Sequence, residues 1–143
     1  MLVRPVQPTD IGTWVELRIA LWPDAADDAR GEALSYLQTG AIEGRAHGCF
    51  LAESSDGAAV GFAEVSECGN ARCHLEGWYV VPAVRRRGVG RALIKACEQW
   101  AAARGASRFT SDTNDDYPDS PAAHAACGFE ASADRRWFER RLG

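Results

Sequence analysis

Arg85-Arg86-Arg87-Gly88-Val89-Gly90-Arg91 is the stretch whose reading decides the fold. Before it, Tyr79-Val80-Val81-Pro82 ends an apolar run. After it, Val89, Ala92, Leu93, Ala96, Cys97, Trp100 and Ala101 recur at helical spacing, so the two glycines fall where a strand hands over to a helix. At such a junction backbone N–H groups can approach an anion without Cβ interference, and the helix dipole favours negative charge. A pyrophosphate fits that description. A P-loop would need four residues between its glycines followed by Lys-Ser/Thr, and a Rossmann fingerprint would need a third glycine where Leu93 stands, so ATP and NAD are disfavoured.

Working outward, the pattern alternates between period 2 and period 3.6 without internal repeats or a linker long enough to divide the chain. This predicts one α/β (α+β) domain over residues 1–143. Towards the N-terminus, Gly48–Glu53, Ala59–Glu67 and Cys73–Val81 read as an antiparallel meander, broken by Ser54-Ser55-Asp56-Gly57 and Cys68-Gly69-Asn70-Ala71. Leu2–Val6 is a strand candidate. Thr9 or Asp10 can cap a helix carrying Ile11, Trp14, Val15, Leu21 and Trp22, which Pro23 stops, and a second helix is expected over Asp27–Leu37. This helical pair reads as a lid. Beyond Gly105, Ser107–Ser111 reads as a strand, Pro121–Ala126 as a short helix and Arg135–Leu142 as a final strand.

Composition narrows the function classes. The chain has 143 residues, 16 basic and 20 acidic, for a formal charge of −4, which argues against general nucleic-acid binding and suits a cationic partner. Charge is also unevenly placed: Arg85, Arg86, Arg87, Arg91 and Lys95 lie on one segment, and Asp112, Asp115, Asp116 and Asp119 on another. Five cysteines, an odd number with no Cys-x-x-Cys pair and no secretory leader before them, point to reduced thiols in the cytoplasm and to no zinc site. No apolar run reaches the ~20 residues of a membrane span.

Arg85-x-x-Gly88-x-Gly90, between Tyr79-Val80-Val81-Pro82 and Ala92-Leu93-Ile94, resembles the acetyl-CoA pyrophosphate loop of the GNAT acyltransferase superfamily. The likeness extends over nearly the whole chain. Leu17-Arg18-x-x-Leu21-Trp22-Pro23, Val60-Gly61-Phe62-Ala63, Leu75-Glu76-Gly77, Ser111-Asp112 and His124-x-x-x-Gly128-Phe129-Glu130 are similar, in this order, to the aminoglycoside 6'-N-acetyltransferases. The resemblance implies a mixed central sheet that splays after the acetyl-CoA strand and is flanked by helices. It further implies acetyl-CoA as co-substrate, a cationic aminoglycoside as acceptor and a homodimer.

Carried over residue by residue, the resemblance implies that the backbone of Trp78, Tyr79 and Val80 pairs with the pantetheine arm. The pyrophosphate would then lie over Arg86, Arg87, Gly88, Val89, Gly90 and Arg91. Tyr117 stands where the family has a cofactor-contacting asparagine. Glu76 and Asp112 would lie at the amine end of the acceptor as candidate bases, and His124 where many members carry a tyrosine that protonates the thiolate. Trp22, Asp24 and Asp134 would line the acceptor side, with Asp115, Asp116 and Asp119 as an acidic rim. Read alone, these residues also have plain explanations: Trp78 and Tyr79 as strand aromatics, Trp22 as a core anchor, Asp112 as a cap, His124 as a packed ring. Strand alternation places Glu76 on the same face as Trp78. Three functions stay open on the sequence: acetylation of an aminoglycoside 6'-amine, acetylation of another small amine or protein N-terminus, and acyl-CoA binding without catalysis.

Overall fold

The computed structural model describes residues 1–143. In chain order it comprises β1 (Leu2–Pro5), α1 (Ile11–Leu21), α2 (Ala26–Thr39), β2 (Ala41–Ile42), β3 (Arg45–Glu53), β4 (Ala59–Glu67), β5 (Arg72–Val80), α3 (Val89–Ala103), β6 (Arg108–Asp112), α4 (Ser120–Ala126), β7 (Glu130–Ala131) and β8 (Trp137–Arg141). The sheet runs β1-β3-β4-β5-β6-β8-β7, with β2 paired to β3. The β3-β4-β5 meander is antiparallel as expected, and the single parallel neighbour is β6 beside β5. Two short strands, β2 and β7, have no sequence signal of their own, because a two-residue strand carries no periodicity to read.

One apolar cluster lies between the sheet and α3, where Leu93, Ile94, Cys97 and Ala101 pack on Val65, Leu75, Phe109 and Phe138. The other lies under α1 and α2, where Trp14, Leu17 and Ala33 pack on Cys49, Leu51 and Phe62. The helical pair is therefore a layer of the core, which corrects the expectation of a lid. What fixes it is an ion pair that the hydropathy pattern hides. Arg18, 2% exposed on α1, meets Glu64, fully buried on β4. Its Nε donates to Glu64 Oε2 at 2.7 Å and Nη2 to Oε1 at 3.1 Å, while Trp14 Nε1 donates to Oε2 at 3.1 Å. The remaining nitrogen, Nη1, reaches Ala29 O at 2.8 Å and Glu32 Oε1 at 3.1 Å on α2. One guanidinium thus joins both helices to the sheet through bidentate, charge-assisted bonds.

The sheet opens where β5 meets β6. Only Arg72–Leu75 find partners, Arg108–Ser111, and beyond Leu75 the strands part. At the same place the β4–β5 register shifts, since Val65 pairs with Leu75 and Glu64 with Gly77, leaving Glu76 as a β-bulge. The bulge reverses the alternation of side chains. Cys73 and Leu75 face α3 before it, Trp78 and Val80 face α3 after it, and Glu76 approaches His74 on the opposite side. The expectation that Glu76 and Trp78 share a face is corrected accordingly.

α4 is held by His124, 3% exposed, whose ring stacks on Phe138 at 4.0 Å and meets Trp78 and Phe129 edge-on. Burial pushes its pKa below the ordinary value.

Arg18→Met leaves Glu64 as an uncompensated buried charge and should destabilise the fold by about 3–5 kcal/mol in urea unfolding, whereas adding Glu64→Leu should recover most of the loss. Additive losses would show that the pair is not a unit. Below its ordinary pKa of about 6.5, His124 binds a proton more readily in the unfolded chain than in the fold. Stability should therefore fall as pH drops through that value and level off once the lower folded-state pKa is passed. His124→Phe should flatten this part of a urea-midpoint series against pH.

Candidate active site

The splay sets two arms against each other. On one side are the edge of β5 from Trp78 to Val80, which β6 does not pair, and the N-terminus of α3. Gly88 adopts φ +85° and a Cβ there would meet open space, so the turn is held by backbone conformation and not by packing. No N–H from Arg86 to Arg91 donates to an acceptor within the chain, and the first to do so is Ala92, to Gly88 O at 3.1 Å. Six consecutive amides at a helix start are thus left without an acceptor in the chain, which fits a diphosphate ligand. The side chains around them build the turn. Trp78 Nε1 donates to Gly90 O at 3.1 Å, Arg91 Nη2 donates to Ala126 O at 2.7 Å, and Arg85 Nε folds back onto Val80 O at 2.8 Å, its guanidinium 5.6 Å from the centre of the Tyr79 ring. Arg86 (φ +64°) and Arg87 stay exposed on the rim.

On the other side are the acidic groups. Glu76 and Asp112 are the first residues past the last β5–β6 pair, one on each strand. Their side chains are 31% and 63% exposed, and both approach His74 Nε2, Glu76 Oε1 at 3.9 Å and Asp112 Oδ1 at 2.7 Å. Trp137 of β8 pairs with Asp112, is 40% exposed and stacks on His74 with ring centres 5.3 Å apart. Neither His74 nor Trp137 is singled out by the sequence. His74 lies within a β-run as one more strand residue, and only the register with β6 reveals its partners.

Trp22 closes α1 by lying over β5. A Cβ on Gly77 would come within 2.5 Å of its indole, so the glycine beside Glu76 is what admits this ring. The same indole packs edge-on against Phe62 and carries the Arg18 guanidinium 5.2 Å from its centre. Asp24 follows in a short 3₁₀ turn, exposed. Tyr117 joins this end of the molecule: its hydroxyl donates to Leu21 O at 2.7 Å, and burial together with the charges of Asp116 and Asp24 raises its pKa. Asp134 lies across an open cleft of about 230 Å³ from Tyr117, in the β7–β8 turn, where its carboxylate accepts from Ser132 Oγ at 2.6 Å and from the Arg136 amide at 3.1 Å. Of the expected acidic rim, Asp115 is taken by Arg136 at 2.9 Å, while Asp116 and Asp119 remain exposed.

His124 stands on the α3 side of the sheet, across it from His74. Its Nδ1 lies 2.8 Å from the Ser120 carbonyl, which can only accept, so Nδ1 carries the proton and Nε2 accepts from Ser111 Oγ at 2.8 Å. The imidazole is neutral and fully engaged in this arrangement. All five cysteines are free thiols; burial raises the Cys127 pKa, and no base contacts its sulfur. No helix is long and apolar enough to cross a membrane.

The profile of the acetyltransferase (GNAT) family matches residues 13–129. The chain is 43% identical to the aminoglycoside N(6')-acetyltransferase type 1 of Klebsiella aerogenes, covering 99% of this chain and 97% of that protein. It is 39% identical to the protein of the same name from Stenotrophomonas maltophilia, over 98% and 93% of the two chains. Its structure superposes with a TM-score of 0.77, at 33% identity over 90% of each chain, on AAC(6')-Iy in complex with the bisubstrate analogue CoA-S-monomethyl-acetylneamine. With a row of unpartnered amides after a splayed strand and a family match over most of its length, the chain belongs to the GNAT acetyltransferase family.

Proposed function

We propose that the protein transfers the acetyl group of acetyl-CoA to the 6'-amino group of aminoglycosides by direct attack within a ternary complex. The observation that carries this reading is that the strand which leaves the splay carries six acceptor-free amides beyond its end, while two solvent-accessible carboxylates stand where the strands part. One arm is built for a diphosphate and the other for ammonium groups. The relatives named for aminoglycoside 6'-N-acetylation support the choice of acceptor.

Acetyl-CoA supplies a thioester carbonyl, at which a C–N bond to the acceptor amine forms while the C–S bond breaks. The residues of the chain do the rest. Amides from Arg86 to Arg91 hold the diphosphate at the positive end of α3, with Arg86 and Arg87 adding charge from the rim. The free edge of β5 at Trp78, Tyr79 and Val80 orients the pantetheine arm by strand-like pairing, and a Val80 amide directed at this edge is the oxyanion donor. Glu76 and Asp112 hold the acceptor's ammonium groups and take the proton that must leave before the nitrogen can attack, directly or through water. Trp22 and Asp24 at the end of α1, and Asp134 across the cleft, belong to the acceptor side in this reading. Tyr117 braces that wall through its hydrogen bond to Leu21 O.

His124 enters as a positioning residue. A buried neutral imidazole that gives its one proton to Ser120 O has none free for a thiolate, so solvent water protonates the leaving group. The five free thiols and the acetyl-CoA requirement support a cytoplasmic setting, and pairing of two copies rests on the resemblance.

A thiol-release assay with acetyl-CoA and three acceptors, a kanamycin-type aminoglycoside, a linear polyamine and a peptide α-amine, tests the reading, with NMR of the product locating the acetyl group. Turnover confined to the peptide would overturn the choice of acceptor, and turnover with none would favour an acyl-CoA-binding module. Two variants probe the separate arms. Gly88→Val forces a β-branched residue into positive φ and should weaken acetyl-CoA binding at least about tenfold in calorimetry while the fold persists; undiminished affinity would contradict the loop assignment. Asp112→Asn should leave acetyl-CoA affinity unchanged and lower acceptor kcat/KM by about 10²-fold. Unchanged acceptor kinetics would mean that the acceptor side lies elsewhere.

A further inference from the structure

The functional reading leaves His74 unassigned, although both acceptor-side carboxylates converge on its Nε2. One hydrogen bond around it has a fixed direction: the Asp112 carboxylate only accepts, so His74 Nε2 carries a proton and donates it to Oδ1 at 2.7 Å. On the other side of the ring Nδ1 lies 2.7 Å from Thr110 Oγ1, which accepts from Arg72 Nη1 at 2.8 Å and lies 3.4 Å from Cys73 O. Arg72, Thr110, His74 and Asp112 thus form one connected series.

The surroundings fix the ring as well as its proton. Trp137 stacks on it at 28° between planes, and Arg72 lies 5.8 Å from the centre of the Trp137 ring on β8. His74 is 8% exposed, while the Asp112 side chain it holds is 63% exposed and has no other side-chain hydrogen bond. The charged groups on this face are Arg72 and Glu76 of β5, Arg108 and Asp112 of β6, Glu139 and Arg141 of β8, and Glu64 of β4 with Arg18 of α1; Glu139 is engaged by Arg108 at 2.6 Å and Glu64 by Arg18 at 2.7 Å.

We propose that His74 is a positioning residue for the acceptor, an imidazole whose Nε2–H bridges the mouth of the splay and holds the Asp112 carboxylate beside Glu76. The need for it is geometric. β5 and β6 diverge from the residue after Leu75 and Ser111, so nothing in the backbone keeps Glu76 and Asp112 at a common distance from one ammonium group. This inference rests on the acetyltransferase reading above.

The test pairs kinetics with a direct look at the ring. His74→Phe keeps an aromatic plane and loses the donor; His74→Gln keeps an N–H donor at similar reach. His74→Phe should lower aminoglycoside kcat/KM about tenfold, chiefly through KM, with KM for acetyl-CoA unchanged, and His74→Gln should restore most of it. In an Asp112→Asn background His74→Phe should add little, because the partner through which it acts is already altered. An equal loss in both backgrounds, or no loss at all, overturns the proposal while wild-type turnover keeps the functional reading intact. If the wild type turns over no aminoglycoside, the functional reading fails and the acceptor role of His74 fails with it. Imidazole ¹⁵N NMR of the wild type reads the ring independently of activity: a protonated Nε2 supports the arrangement, and an unprotonated Nε2 overturns it.

Discussion

Parting of two parallel strands after four residues is the constraint on which the rest of the structure depends. A strand edge without a partner leaves backbone donors and acceptors that must find another use. Here the edge from Glu76 to Val80 is followed, after a short turn over Pro82–Val84, by the acceptor-free amides that open α3, so unpaired backbone groups flank the turn at both ends. The bulge at Glu76 belongs to the same feature. It turns Trp78 inward, where the indole braces the first turn of α3, and leaves the carboxylate on the opposite face with His74 and Asp112.

Keeping such a sheet open requires that both of its faces be covered without closing the gap. α3 covers one face with an apolar stripe, and α1 and α2 cover the other around the Arg18–Glu64 pair. That pair lies one register step from the bulge, since Glu64 is opposite Gly77. Its guanidinium also lies over Trp22, which rests on Gly77 beside Glu76. A buried ionic network therefore reaches directly to the acceptor end, and the helical layer positions the site without hinging over it.

Legibility in the sequence followed the length scale of each signal. α3 carries seven apolar positions at helical spacing and was readable to within two residues at its C-terminus. β4 fell on the expected residues, whereas β3 begins at Arg45 instead of Gly48 because Arg45, Ala46 and His47 form no apolar alternation. α2 runs Ala26–Thr39, longer than Asp27–Leu37, because its ends are polar and Gly40 stops it in the left-handed region. Tertiary partners decided the rest. Arg18 looks like a surface residue and is buried by a carboxylate 46 positions away, and His74 has no meaning until β6 comes alongside with Thr110 and Asp112.

By itself the sequence determined the strand-to-helix turn, the alternation of elements and the sign of charge on each arm, because these depend on residue type and on spacing along the chain. The tertiary structure alone decided which face each acidic group occupies, that α1 and α2 form a core layer, and that His74 and Trp137 join the acceptor side. Faces depend on register, one inserted residue at Glu76 reverses them, and no local pattern reports where a bulge will fall.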